Sequence, residues 1–322
     1  VAQISSLLVT GATGFVGSSL CRALSGTDYA IRLAVRRPVQ GDTSSFATSV
    51  IGDIAHDTEW KQALEGVECV VHLAARAHVM REAASDPLAE FRRVNLLGTE
   101  RLARDAAAAG VRRFVYLSSI KVNGEETHNR AFTEVDVPNP QDAYGISKWE
   151  AEQALQKIAS KTGMEIVILR PPLVYGPHVK GNFLSLLRAV HRGIPLPLAS
   201  INNKRSLIYV GNLVDAILLC VTHPKAAGQT FVLSDREDVS TPELIRRIAE
   251  AFRRKARLIP VPPGLLGFAA RLTGKSDAIA RLTDSLQVDS RKFARDLDWS
   301  PPYSMEHGLR ETSAWFAQSK AI

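Results

Sequence analysis

Cysteine is scarce in this chain. The 322 residues contain three, Cys21, Cys69 and Cys220, far apart and each in apolar surroundings. That odd, scattered set supports neither a disulfide framework nor a zinc site, so no metal is expected and a reducing, cytoplasmic setting is. Long apolar runs are missing too. The longest candidate, Leu258 to Leu272, is broken by Pro260, Pro262, Pro263, Gly264 and Gly267. Nothing therefore reaches the roughly 18 residues needed to span a bilayer, and the first residues do not read as a signal peptide. The net charge is +7, yet the basic residues read as scattered, with no long run and no aromatic interleaving. Nucleic acid is not expected as a partner, and an anionic cofactor and substrate account for the charge.

What is present begins at Leu7-Leu8-Val9, an apolar run that breaks into Thr10-Gly11-Ala12-Thr13-Gly14-Phe15-Val16-Gly17 and then into a helical pattern. Glycines spaced three apart between a strand and a helix let backbone approach a pyrophosphate at the helix N-terminus. Further strand-like runs follow at Ile31–Val35, Val50–Ile51, Cys69–Leu73, Phe114–Leu117 and Ile166–Leu169. They alternate with helical segments at Ser18–Leu24, Glu59–Leu64, Glu90–Ala109 and Ala143–Ala159. The alternation predicts an α/β fold, a Rossmann-type doubly wound parallel sheet covered by helices on both faces.

After Arg170 prolines and glycines accumulate and the alternation stops. A strand at Leu207–Val210, a helix at Leu213–Val221 and a strand at Thr230–Leu233 return, and Thr241-Pro242-Glu243 reads as a helix start with Thr241 as cap. The reading is two units. Residues 1–170 with about 206–235 form a dinucleotide-binding domain, and about 171–205 with 236–322 form a smaller, discontinuous α/β substrate-binding lobe.

Tyr144 and Lys148, four apart in Tyr144-Gly145-Ile146-Ser147-Lys148, share one face of a helix. A phenol titrates near 10, and an ammonium one turn away is expected to draw that value toward neutrality and make the phenol a usable acid/base. The lysine could also bond the nicotinamide ribose. Ser118 and Ser119 close a strand upstream, where a hydroxyl could hold a carbonyl or alkoxide.

Together these motifs resemble the extended short-chain dehydrogenase/reductases, in the branch of nucleotide-sugar epimerases, dehydratases and reductases. The likeness runs through Gly52–Ile54, His72–Ala75, Asn95–Thr99, Ser118–Gly124, Arg170–Pro177, Arg205–Ala216 and the segment from Gly308 to Trp315. The resemblance implies that Tyr144 is the acid/base, Lys148 its electrostatic partner, Ser119 rather than Ser118 the catalytic hydroxyl, and Asn95 a buried residue ordering the active-site helix. It implies a dinucleotide held by Gly11, Thr13, Gly14, Phe15, Val16 and Gly17, with Asp53 and Ile54 at the adenine. Leu73, Ala74 and Ala75 would pass beneath it, and Arg170 through Leu173, Pro171 included, would flank the nicotinamide.

Two departures sharpen the resemblance. Dehydratases of the branch carry an Asp-Glu pair after the catalytic hydroxyl, whereas Ile120 and Lys121 stand here. NAD-preferring members end the second strand with an acid, whereas this one ends Val35-Arg36-Arg37-Pro38. Arg36, with Arg37 secondary, suits a 2′-phosphate, so NADP(H) is expected, with NAD(H) the other possibility. The resemblance further places Asn182, Arg205 and Arg281 at a substrate diphosphate, and implies a cytoplasmic homodimer in polysaccharide biosynthesis. The expectation is an NADP(H)-dependent reductase of a nucleotide-linked 4-keto sugar, a UDP-4-keto-6-deoxy-N-acetylhexosamine. The alternatives are a UDP-sugar 4-epimerase with tightly bound NAD and, more distantly, a non-catalytic cofactor-sensing binding protein.

Overall fold

Leu7-Leu8-Val9 has no polar side to turn toward water, and the strand it forms is covered on both faces. The computed structural model describes residues 4–38, 46–77, 86–266 and 276–319. Strand β1 (Ser6–Thr10) lies between β2 (Ala30–Val35) and β4 (Cys69–His72). β3 (Ala47–Val50) closes one side, and β5 (Arg113–Leu117), β6 (Glu165–Arg170) and β9 (Thr230–Val232) complete the other. All seven strands run parallel, in the order β3-β2-β1-β4-β5-β6-β9.

Alternate residues feed two separate cores. Leu7, Val9, Leu33, Val71, Val115 and Leu169 pack under α1 (Phe15–Leu24), α7 (Val210–Thr222) and α10 (Arg291–Leu297). Leu8, Ala34, Val70, Phe114, Ile166 and Ile168 pack under short α2 (Lys61–Leu64), α4 (Thr99–Ala108) and α5 (Ala143–Thr162). Burying both faces removes the need for polar alternation, which is why these strands read as continuous apolar runs.

A three-stranded sheet, β10-β8-β7, forms the small lobe. β7 (Leu173–Tyr175) runs parallel to β8 (Arg205–Tyr209), and β10 (Asp238–Val239) is antiparallel to it. Its core gathers Tyr175, Leu207, Tyr209 and side chains of α6 (Gly181–His191), α8 (Thr241–Ala251) and α11 (Met305–Ser319). Helix α9 (Ser276–Thr283) lies beside it, with Leu282 against this core.

The structure divides the 206–235 segment differently from the sequence reading. β8 belongs by its hydrogen bonds to the small sheet, while α7 and β9 belong to the large unit. Alternation explains the seam, since Ile208 points into the large core and Leu207 and Tyr209 into the small one. The cap of α8 is also corrected. Ser240, not Thr241, accepts from Glu243 N, and Thr241 Oγ1 donates instead to Leu282 O. No helix among the described residues is long and apolar enough to cross a membrane.

Candidate active site

The strand order reverses between β1 and β4, the place where a parallel sheet of this kind offers a crevice at the carboxyl ends of its strands. Gly11 follows β1 with φ +70°, and a Cβ on it would lie 2.7 Å from Ala74 N. A Cβ on Gly17 would lie 2.1 Å from Gly11 O, so only glycine lets α1 start this close under the loop. Gly14 precedes α1 without a capping side chain, and no acid occupies its first turn. The N–H groups of Phe15, Val16 and Gly17 therefore open this helix beside the exposed Thr13 with no carboxylate to oppose an anion. This cradle fits a dinucleotide pyrophosphate.

The rim of the cradle is held from β4. His72 Nδ1 meets Thr10 Oγ1 at 2.7 Å, and Nε2 meets Thr99 Oγ1 at 2.9 Å. Burial, with the charge of Lys148 second, pushes its pKa down to about 3, so the ring is a neutral brace. Half-buried Leu73, Ala74 and Ala75 follow, with Ala74 N donating to Thr10 Oγ1. At the other end of the crevice Arg36, Arg37 and Asp53 are exposed, and Arg36 Nε lies 3.4 Å from Asp53 Oδ1. Ile54 turns inward against Gly98.

The catalytic candidates converge from three elements. Asp142 caps α5 by accepting from Gly145 N at 2.7 Å, and its other oxygen pairs with Lys121 Nζ at 2.5 Å, tying the turn after β5 to the start of α5. Across this join the Ser119 hydroxyl stands near enough to the Tyr144 phenol to favour its ionisation. Ser118 faces the other way, its Oγ donating to Glu152 Oε1 at 2.5 Å. Lys148 is buried, with Nζ donating to Leu117 O at 2.7 Å and lying 3.9 Å from the Tyr116 ring centroid. Asn95 donates to Ser147 Oγ at 3.0 Å and Arg76 O at 3.1 Å, and accepts from Arg76 N at 2.8 Å. One amide thus clamps the loop after β4 to the active-site helix.

Three expectations change here. The Glu90–Ala109 helix is divided into α3 (Pro87–Phe91), a π-helical stretch Arg92–Gly98 and α4. The wider turn carries Asn95, as π-turns at functional sites do. Arg170 does not flank the crevice. It is buried beneath it, bonded to Glu152 and to Asn123 Oδ1 at 3.0 Å, while Pro171 is buried and Leu173 exposed above it. Nor is the phenol acidified. Burial, with Asp142 second, pushes Tyr144 up to about 12 against the opposing influence of the Ser119 hydroxyl. Burial also holds Lys148 down to about 7, with Glu152 pulling it back up, so desolvation outweighs the charge expected to stabilise a phenolate.

Glu152, Asn123 and Arg170 form a network that the sequence reading missed as a unit. The available signal was Glu152 standing one further turn along the Tyr144–Lys148 face of α5. The substrate candidates lie on separate elements. Asn182 is exposed in the first turn of α6, and Arg281 is exposed in the last turn of α9. Arg205 opens β8, donates to Asp284 O at 3.1 Å, and lies in the field of Glu125, which pairs with Lys121. The three cysteines are buried and unbridged, and burial pushes the Cys21 thiol up to about 11.

Known proteins resemble this chain over nearly its whole length. A model of the family described as NAD dependent epimerase/dehydratase matches residues 7–234. A Vibrio cholerae protein named UDP-glucose 4-epimerase is 46% identical, covering 98% of this chain and 96% of its own. An Escherichia coli O157:H7 protein named N-acetyl-alpha-D-glucosaminyl-diphospho-ditrans,octacis-undecaprenol 4-epimerase is 28% identical, covering 95% and 94%. Among solved structures, MoeE5 in complex with UDP-glucuronic acid and NAD superposes with a TM-score of 0.77 at 27% identity, covering 98% of this chain and all of that one (100%). A chain so matched is an NAD(P)-dependent enzyme, and it belongs to the NAD dependent epimerase/dehydratase family of extended short-chain dehydrogenase/reductases.

Proposed function

We propose that the protein is a 4-epimerase of a nucleotide-linked hexose, with a UDP-hexose as substrate class and NAD as the dinucleotide. The observation that carries the reading is the complete Ser119–Tyr144–Lys148 cluster in a chain 46% identical, almost end to end, to a protein named for that activity. The bound dinucleotide would supply the hydride acceptor at C4 and the donor for return to the opposite face. Tyr144 takes the proton of the 4-hydroxyl and gives it back, and Ser119 holds the phenol in line. Burial keeps that phenol protonated near neutral pH, so it must shed its proton before accepting another. Lys148, one turn on, is the cation placed to favour that loss, and Asn95 fixes the helix carrying both. Asn182, Arg205 and Arg281 are proposed for the diphosphate. Ile120 and Lys121 supply no carboxylate pair for β-elimination.

The reductase reading has one feature in its favour, the absence of an acid at the end of β2. Asp53 beside Arg36 weakens it by bringing a carboxylate to that corner from beyond β3. The test is to incubate purified protein with a UDP-hexose and no added cofactor, following the anomeric protons by NMR. The C4 epimer is expected, with Tyr144→Phe slower by about 10²–10⁴-fold. No epimer, together with NADPH consumption on a UDP-4-keto sugar, would reverse the reading. Dimerisation through the π-helical stretch, α4 and α5 is also proposed. A monomer in light scattering would refute it.

A further inference from the structure

Two stretches of this chain contain no acidic residue, Ile166 to Val214 and Ala251 to Leu266. The fold lays them side by side in the small lobe. Leu196 and Leu258 form a parallel bridge. Leu196 N donates to Arg257 O at 2.8 Å, and Ile259 N donates to Leu196 O at 2.9 Å. The end of α6 joins them, since Arg254 donates to His191 O. Basic residues that read as scattered along the sequence are thereby gathered into one surface. Arg188, Arg192, Arg253, Arg254, Lys255 and Arg257 are all exposed on it.

None of these six makes an ion pair among the described residues. Elsewhere Arg92, Arg101, Arg104, Arg113, Arg130 and Arg247 are each held by a carboxylate, while exposed cations without one among the described residues, such as Arg22, Lys61 and Lys161, stand on separate elements. The nearest acid along the second stretch is Glu250, on the last turn of α8. Apolar side chains stand exposed in the same two stretches, Ile194 at 45%, Ile259 at 47% and Leu265 at 61%.

We propose that this end of the small lobe docks peripherally on an anionic phospholipid bilayer. Uncompensated cations meet the headgroups, while isolated aliphatic tips enter the boundary with the acyl chains. Nucleic acid would use the charges, but its bases are recognised by aromatic stacking and hydrogen bonding rather than by aliphatic tips. The surface is also separate from the catalytic crevice. Asn182 lies at the opposite end of α6, about 15 Å away at 1.5 Å per residue.

Sedimentation with vesicles tests the proposal, using phosphatidylcholine alone and phosphatidylcholine mixed with an equal part of phosphatidylglycerol. The protein is expected to sediment with the anionic vesicles at low salt and to be released at high salt. The triple variant Arg253→Gln/Lys255→Gln/Arg257→Gln is expected to bind about 100-fold more weakly, at about fivefold per cation. Ile259→Ser/Leu265→Ser is expected to weaken binding by about tenfold. Thermal melting of each variant, followed by circular dichroism, separates lost docking from lost folding. The wild-type salt dependence reads the charge contribution with no variant at all. Equal sedimentation with both vesicle types, undiminished binding by a folded triple variant, or retention on duplex DNA with no vesicle binding would overturn the proposal.

Discussion

Arg170 and Glu152 form an ion pair enclosed beneath the catalytic cluster, Nη2 lying 2.5 Å from Oε2 and Nε 3.0 Å from Oε1. The side chains are 4% and 0% exposed, and Ser118 and Asn123 occupy further positions around them. A buried pair contributes little net stability but is costly to halve, because the survivor is an uncompensated charge. Glu152→Ala is expected to lower the unfolding free energy by about 3–5 kcal/mol in urea titrations. Adding Arg170→Met should recover much of that. A double variant as unstable as the sum of the two single variants would show that the pair is not coupled.

His72 links the site to pH. Its folded pKa of about 3 lies below the ordinary 6.5 because the ring is buried between Thr10 and Thr99. The unfolded chain therefore binds the extra proton between those two values. Stability from this group is complete above about 6.5 and is lost as pH falls toward 3, with a limiting slope of about 1.4 kcal/mol per pH unit. His72→Gln should flatten the urea-derived stability profile below pH about 6.5 by one proton's worth. An unchanged slope would assign the acid sensitivity to other groups.

The sheet was legible because parallel strands buried on both faces read as unbroken aliphatic runs, and the crevice because Gly11 and Gly17 mark where backbone must approach backbone. The π-turn at Asn95 was not legible. The same residues suit an α-helix, and the extra residue per turn is stabilised by contacts to Arg76 and Ser147 that lie far away in sequence. Glu152 has the composition of a surface helical acid, and only its meeting with Arg170 on β6 explains why it is buried. Tyr144 and Lys148 could be placed by spacing, but their pKa shifts depend on burial, which spacing does not report. Ser240 and Thr241 are both good caps by chemistry, and Leu282 O decides between them by engaging Thr241.

Gly17 gives a sharp test of the cradle. A methyl group there meets Gly11 O at 2.1 Å and the Ala12 Cα at 2.8 Å, both backbone atoms that cannot rotate away. Gly17→Ala must displace either the loop or α1, and the N–H groups aimed into the crevice move with them. Overpacking of this kind typically costs about 1–3 kcal/mol. Dinucleotide affinity by calorimetry should fall more steeply than stability does. A variant with reduced stability and full affinity would place the pyrophosphate elsewhere.

The choice of dinucleotide turns on Arg36 and Asp53. Arg36 alone would draw a 2′-phosphate, but its guanidinium lies 3.4 Å from the Asp53 carboxylate, which repels the same group. A ribose carrying hydroxyls instead gains an acceptor at that corner and loses nothing. The wild type is therefore expected to bind NAD in preference to NADP. Asp53→Ala should shift the ratio toward NADP by about tenfold, equivalent to about 1.4 kcal/mol, and Arg36→Ala should shift it the opposite way. Both side chains are about 70% exposed (71% and 70%), so the shifts should shrink as salt screens them. Titrations of the three proteins with both dinucleotides at two ionic strengths settle the matter. If Asp53→Ala leaves the ratio unmoved, the carboxylate has no part in the choice and Arg36 decides it alone.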